Sequence, residues 1–489
     1  MLQHLVRATG RRWRRPTLER SAMYSMEAFM EFERELARKR RAEQPPQAPK
    51  TLRLQPPVQP QDGDCCNLNC PNCVLLVYQE QLMEYEDSVR WSEMGAQMTL
   101  PPPAPVDTVL TIAEISSLPL DVAHRPTDVE LLPVRVNTEL GASSVRHIEV
   151  DICTPYKTAD NLVVHMRNAE SAVAACAARL CVDLDTVLRV ESCANLPPTY
   201  LGAWTTVAAL LTWAVDLTSP LRPRHLRLLA AYATDAADQA AVLALAQTWA
   251  NDGDAPNVVD LLSQFPSMAL SLEALLAVAP PLLARQYTVA SSAEVQPSTV
   301  AVAVSLKSRG RCAINLASVS SQIFGYVKRS SFSVLPPSSS PLLCIGTGTG
   351  IAPFRAMTQA RCHDVTRAWS PILLFQGSQR RDTDWLYHAE FEAATNAGVL
   401  RGYYPVFSRE PGTAKQYVQD ALRAYASLVA KALVEDGATV CVCGSLAMGR
   451  DVKHALVACL VDAYGWTDAA AKAFIARLQG DGKYIAEVW

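Results

Sequence analysis

Four short apolar runs, Leu342–Ile345, Ile372–Gln376, Leu400–Tyr404 and Thr439–Cys443, alternate with helix-compatible stretches in the last third of the chain. Apolar strands separated by helices imply a parallel sheet covered on both faces, because parallel neighbours need a crossover and the crossover helices bury the strands. The first run passes into Gly346-Thr347-Gly348-Thr349-Gly350 and then into Ile351-Ala352-Pro353-Phe354. Strand, glycine-rich turn and helix start, in that order, expose bare N–H groups at the positive end of a helix dipole. That is a seat for phosphate.

The preceding 340 residues are organised differently. His147–Ile152 alternates like a strand with one buried face, and Val300–Val304 is β-rich. Residues 168–275 are Ala/Leu-rich with helical periodicity, broken at Pro197-Pro198 and Pro220. Ala28–Arg41 has helical composition and dense charge, while Pro45–Pro60 and Pro101–Pro105 read as extended linkers. With 489 residues, 49% of them apolar, there is room for about three domains of ~150 residues. The formal charge of -3 argues against a nucleic-acid partner held through phosphates. The most apolar helical run, Val207–Val215, stops at Asp216, far short of the ~20 residues that cross a bilayer, so no transmembrane segment is expected. The first twenty residues carry Arg7, Arg11, Arg12, Arg14, Arg15 and Arg20 against Glu19 alone. That composition is either a mitochondrial transit peptide or a disordered basic tail.

Several residues carry candidate chemistry. In Arg285-Gln286-Tyr287-Thr288, the arginine and the aromatic share one face of a strand. They could grip a pyrophosphate and stack on a flat ring, or form a plain surface pair. Gly310, before Arg311-Cys312-Ala313, marks a helix start with free backbone donors, or an ordinary turn. Ser408 and Arg409, with Lys415 and Tyr417 downstream, suit a monoester phosphate such as the 2′-phosphate of NADP, or form an exposed basic loop. Cys443 ends a sheet strand, where open α/β sheets place ligands; a buried structural thiol is the alternative. The chain closes on Glu487-Val488-Trp489. Termini fray unless docked, so Trp489 is expected to lie on a flat ligand or in a core.

Taken in order, these motifs resemble the ferredoxin–NADP reductase superfamily, most closely its diflavin branch of cytochrome reductases, the sulfite reductase flavoprotein and methionine synthase reductase. The resemblance covers about residues 135–489 and includes Leu211–Asp235, which looks like the helical connecting domain inserted in the FAD barrel. It implies FAD and NADPH as cofactors. Arg285 would hold the FAD pyrophosphate, Tyr287 would stack on the isoalloxazine and Thr288 would bond near flavin N5. Gly310, Arg311, Cys312 and Ala313 would form the second pyrophosphate contact. Gly348, Thr349 and Gly350 would meet the NADPH phosphates, and Ser408, Arg409, Lys415 and Tyr417 the 2′-phosphate. Cys443 and Glu487 would flank the nicotinamide, and Trp489 would cover the flavin ring. The catalytic set is thus Thr288, Cys443, Glu487 and Trp489.

The sequence departs from this pattern at Thr347 (proline in the family), Ala313 (Ser/Thr), Thr158-Ala159-Asp160-Asn161 (Pro-Gly-Asp and a polar residue), Ser445 (Asp) and Glu487 (Asp). No flavodoxin-like FMN domain is expected before residue 130. Instead, Cys65, Cys66, Cys70 and Cys73 pack four thiols into nine residues, followed by a helix of the type Tyr78…Leu82…Tyr85. The spacing suits zinc or another metal, thiol redox chemistry or a structural role. Gly63–Tyr78 resembles the small oxidoreductase-like domain of mitochondrial proteins.

The expected architecture is α+β and α/β: an FAD-binding antiparallel β-barrel with a helical connecting insert, then a parallel-sheet NADP-binding α/β domain, behind a small Cys-rich helical module. The expected division is a transit peptide at 1–25, a charged helix and Pro-rich linker at 26–60, and the Cys-rich module at 61–95. The barrel follows at 130–335 with its insert at about 168–275, then the NADP-binding domain at 336–489. The expected function is a mitochondrial NADPH-dependent FAD reductase serving a separate redox partner. The alternative is a weakened reductase fold kept as a structural subunit or assembly factor.

Overall fold

The computed structural model describes residues 56–60, 74–94, 107–113, 121–126, 128–247, 255–306, 310–334, 340–366 and 369–488. The Arg-rich start, Cys65, Cys66, Cys70, Cys73 and Trp489 lie outside the described residues. All described residues belong to one unit, Thr51–Trp489. In chain order its strands are β1 (Val109–Ile112), β2 (Glu130–Glu139), β3 (Val145–Asp151), β4 (Asn161–His165), β5 (Val187–Ser192), β6 (Trp204–Thr206) and β7 (Arg285–Thr288). They continue as β8 (Thr299–Ser305), β9 (Gln322–Lys328), β10 (Leu342–Thr347), β11 (Ile372–Ser378), β12 (Leu400–Phe407), β13 (Thr439–Gly444) and β14 (Tyr484–Val488).

Alternation builds the first large sheet. Ile148 and Val150 of β3 point the same way as Leu162, Val164, Val300, Val302 and Val304, and together these fill one core. Six antiparallel strands run in the order β7-β4-β9-β2-β3-β8, and a bridge from Val289 to Val302 joins the two ends into a barrel. Between β4 and β7 the chain leaves the barrel for an insert with its own core of Leu188, Leu210, Leu226, Leu261 and Leu275. Its helices start on local caps: the Thr206 hydroxyl accepts from Ala209 N at 3.1 Å, and Asn257 and Asp260 form a reciprocal capping box.

The insert is not wholly helical, as its composition suggested. β5 and β6 lie within it and pair antiparallel with β1, which precedes the barrel. β6 has three residues, and β1 is largely exposed. Neither is long enough to show a period of two against an Ala/Leu-rich background. The helix Val74–Met94 reaches the insert through Glu84 and Asp87, which pair with Arg222 and Arg224 at 3.6 Å each.

In the last third the apolar runs do form a parallel sheet, in the order β12-β11-β10-β13-β14. Leu343, Ile345, Phe375, Val440 and Val442 face one helical layer, whereas Cys344, Leu374, Cys441 and Cys443 face the other. The fifth strand, β14, comes from the C-terminal segment that the sequence presented only as a docked end. The chain steps outward from β10 to β12, then returns to β13 on the other side of β10. The reversal between β10 and β13 is where open α/β sheets bind ligands. Among the described residues no helix is long and apolar enough to cross a membrane.

Candidate functional site at the domain junction

The site forms where the barrel meets the carboxyl ends of β10, β13 and β14. Parallel register puts Gly346, Cys443 and Glu487 in one row across three strands. Gly348, at φ +55°, turns the chain out of β10 into a 3₁₀ turn, Gly348–Ile351, ahead of the helix Ala352–His363. A Cβ on Gly350 would run into the Cys443 carbonyl, so glycine is what lets this turn lie on the strand end. Ser445 caps the helix Leu446–Tyr464 by accepting from Met448 N at 3.3 Å. Serine and aspartate both perform that task well, so this departure keeps the local geometry.

From the barrel side, β7 presents Thr288 to the row. The Thr288 hydroxyl donates to Glu487 Oε2 at 3.5 Å and lies beside the Cys443 thiol. Cys443 is fully buried. Burial, and then the neighbouring Glu487 carboxylate, push its thiol well above the usual cysteine range, so it stays protonated at neutral pH. Thr288, Cys443 and Glu487, far apart in sequence, are therefore in contact.

Two residues that the sequence reading missed complete the cluster. Ser330 Oγ donates to Glu487 Oε1 at 2.6 Å, and Ser331 donates to the same oxygen from its backbone N at 2.9 Å and its hydroxyl at 2.8 Å. Asp160, almost fully buried, holds this turn from behind: it accepts from Ser330 N at 3.3 Å and pairs with Arg329 at 2.9 Å. Ala159, beside it, adopts φ +65°, the left-handed conformation that explains why glycine suits this position in the resembling family. Serines in a loop carry no periodic signal. The clue was the extra methylene of Glu487, which has to reach something.

The same junction is pinned elsewhere. Tyr387 OH meets His147 Nδ1 at 3.0 Å, Arg355 donates to Ala290 O at 3.0 Å, and Phe332 packs edge-on against Phe354. Burial lowers the His147 pKa in spite of its hydrogen bond to Glu149.

Tyr287 lies opposite Leu162 of β4, and its hydroxyl donates to Cys312 Sγ at 3.4 Å. Burial raises the pKa of both groups. The helix Arg311–Ser318 begins at Gly310, but the side chains of Cys312 and Ala313 enter the barrel core, leaving only backbone for a ligand. The Arg311 guanidinium is committed to Asp216 at 2.8 Å and Asn168 at 3.1 Å. Arg285 is exposed at the outer end of β7.

Beyond β12, the loop from Ser408 returns so that Gln416 N donates to Phe407 O at 3.4 Å. This closure gathers Ser408, Arg409, Lys415 and Tyr417 beside the carboxyl ends of β11 and β12, with the last three exposed. The unanticipated Arg381 stacks on Phe407 at 4.4 Å and on Trp385 at 4.9 Å.

Residues 124–312 match the FAD binding domain, and residues 344–454 match the oxidoreductase NAD-binding domain. The chain is 31% identical over 386 residues to an NADPH–cytochrome P450 reductase of Salmo trutta, covering 73% of this chain and 62% of the relative. It is 28% identical to the corresponding reductase of Drosophila melanogaster, over 73% of this chain and 58% of that protein. It is likewise 28% identical to an inducible nitric oxide synthase of Gallus gallus, over 75% of this chain and 34% of that protein. The chain thus spans less than two thirds of the length of each of these relatives.

Proposed function

Since the chain belongs to the ferredoxin–NADP reductase superfamily in its diflavin-reductase form, we propose that it works as an NADPH-dependent FAD oxidoreductase serving a separate protein or small-molecule acceptor. The observation that carries this reading is the meeting of Thr288, Cys443 and Glu487 at the sheet's reversal point. When bound, FAD accepts hydride from NADPH and passes electrons on singly, chemistry that no side chain supplies.

The chain's own part is to bind, orient and exclude water. The Gly346–Gly350 turn has the open backbone that a dinucleotide phosphate needs, since nothing lies within 4 Å of where a Cβ on Gly348 would stand. Thr288 holds its hydroxyl toward the junction under restraint from Glu487 and Cys443. Arg285 and Tyr287 would grip the flavin dinucleotide, and Trp489 would cover its ring. Ser408, Arg409, Lys415 and Tyr417 would select NADPH through its 2′-phosphate.

Purified chain should be yellow and should reduce ferricyanide with NADPH in preference to NADH. Arg409→Ala should raise KM for NADPH about tenfold and leave that for NADH nearly unchanged, the loss expected of a charge-assisted phosphate contact. A colourless protein that FAD cannot reconstitute overturns the reading.

One observation favours a second reading, a structural subunit or assembly factor with little turnover: the Glu487 carboxylate is already engaged by Ser330 and Ser331. That reading requires FAD and NADPH to bind without ferricyanide reduction, and an Arg285→Ala chain to keep its cellular role. Mitochondrial residence and a zinc or other metal ion on Cys65, Cys66, Cys70 and Cys73 are parts of the same proposal. Cell fractionation tests the first, and metal analysis of the full chain tests the second.

A further inference from the structure

Ser330 and Ser331 lie in the turn that leaves the barrel after β9, whereas Glu487 lies on β14 of the parallel sheet. The bonds between them therefore cross from one domain to the other, in the row that holds Cys443. Their lengths divide the carboxylate into unequal halves. Oε1 receives three donors at 2.6, 2.9 and 2.8 Å, the usual range for such bonds. Oε2 has Thr288 at 3.5 Å, beyond that range. The serines, more than Thr288, hold the carboxylate.

The serine turn is itself fixed. A hydroxyl has one proton to give, and the Ser330 oxygen accepts from Phe332 N at 3.0 Å, which leaves that proton for Glu487. Ser330 N donates to Asp160 Oδ1 at 3.3 Å. Asp160 Oδ2 accepts in turn from Lys157 N at 2.7 Å and Arg329 Nη1 at 2.9 Å. Ser331 sends two donors, its N–H and its hydroxyl, to the same glutamate oxygen. A glutamate has one more rotatable bond than an aspartate and loses more freedom when fixed. Three donors on one oxygen meet that cost without occupying the other.

We propose that Ser330 and Ser331 are positioning residues for hydride transfer, which fix Glu487 through Oε1 and leave Oε2 turned toward Thr288 and the junction. The inference rests on the oxidoreductase reading above and deepens it. Glu487 and the serine turn become a matched pair: the longer carboxylate is placed by donors that an aspartate at the same backbone position would not reach. Because the bonds join two domains, the carboxylate is in place only while barrel and sheet are docked.

The test follows anaerobic bleaching of the flavin by NADPH in the full chain, the dissociation constant of NADP⁺ and, on the flavin-depleted chain, amide hydrogen exchange in Tyr484–Val488. Ser331→Ala should slow bleaching about tenfold, and the Ser330→Ala, Ser331→Ala double variant about a hundredfold, the loss expected of a displaced group at a reacting centre. NADP⁺ affinity should stay within about twofold. Ser331 is half-buried, so its variant removes one hydroxyl from a turn that other bonds retain. Ser331→Thr, which keeps the hydroxyl, should restore most of the rate. Exchange at Glu487 should quicken in Ser331→Ala and slow again in Ser331→Thr. Glu487→Asp should also slow bleaching, and adding Ser331→Ala to it should cost little more, because the shorter carboxylate has already left the serine. An unchanged rate in both serine variants overturns this inference and leaves the oxidoreductase reading standing. So do losses that add in full to those of Glu487→Asp, or that only track lost FAD or lost fold by circular dichroism. A wild-type chain whose flavin NADPH does not reduce overturns both.

Discussion

Glu487 shows how one methylene can redirect a carboxylate. Its Oε1 takes three hydrogen bonds from Ser330 and Ser331 while Oε2 faces Thr288, so the side chain ties the last strand to the turn that leaves the barrel. Ser330 is only 2% exposed, and a buried donor left without its acceptor costs about 1–3 kcal/mol. Glu487→Asp withdraws the carboxyl from both serines. Glu487→Gln keeps an acceptor oxygen in place and forfeits only the ionic strengthening of the bonds, about 1 kcal/mol. The aspartate variant, although it restores the residue type of the resembling family, should therefore be the less stable of the two by about 1–2 kcal/mol in urea titration. The opposite order would mean that charge, not reach, sets the role of this residue.

At the scale of elements, the sequence was legible where burial is complete and obscure where it is partial. β10, β11 and β13 are continuous apolar runs because helices cover both their faces, and such runs stand out in the sequence. β14 carries Glu487 and lies at the sheet edge, so Tyr-Ile-Ala-Glu-Val offered no comparable run. The motif residues were visible as types, but their meeting depended on the parallel register of β10, β13 and β14 and on a serine turn, neither of which leaves a periodic trace. The insert hid a small sheet in the same way, and it also hides a pH-sensitive helix. In Pro223–Ala230, burial and then the flanking Arg224 and Arg222 push the His225 pKa down to about 4. An unfolded histidine takes up its proton near pH 6.5. Between those values the unfolded chain binds more protons than the folded one, so stability is full above pH 6.5 and falls as the pH drops toward 4. Denaturant midpoints should decline from pH 7 to pH 5, and His225→Gln should flatten part of that decline. An equally steep decline in the variant would assign the effect to His147 and His165, whose pKa values burial also lowers.

Across the whole molecule, the same reasoning applies with the opposite sign to the thiols. Each of the four main cores encloses cysteine: Cys176 lies in the insert, Cys312 in the barrel, and Cys443 and Cys459 in the cores on opposite faces of the parallel sheet. Burial pushes the pKa of Cys176 and of Cys459 up to about 12, and that of Cys443 well above the normal range. In the unfolded chain these thiols would ionise near pH 8.5. Below that value both states hold the proton and the cores contribute in full. Between about 8.5 and 12 only the unfolded chain releases it, so alkali draws the equilibrium toward unfolding. Cys176 and Cys459 are both fully buried, and each should cost about 1–2 kcal/mol by pH 10. Under reducing conditions, the urea midpoint should hold steady from pH 7 to 8 and fall by pH 10. Cys176→Ala should start lower, because a packed sulfur is gone, yet lose less over the same interval. That crossing of slopes separates thiol ionisation from general alkaline loosening, which would move both proteins in parallel. A midpoint unchanged at pH 10 in the parent chain would mean that these sulfurs lie closer to water than their packing implies.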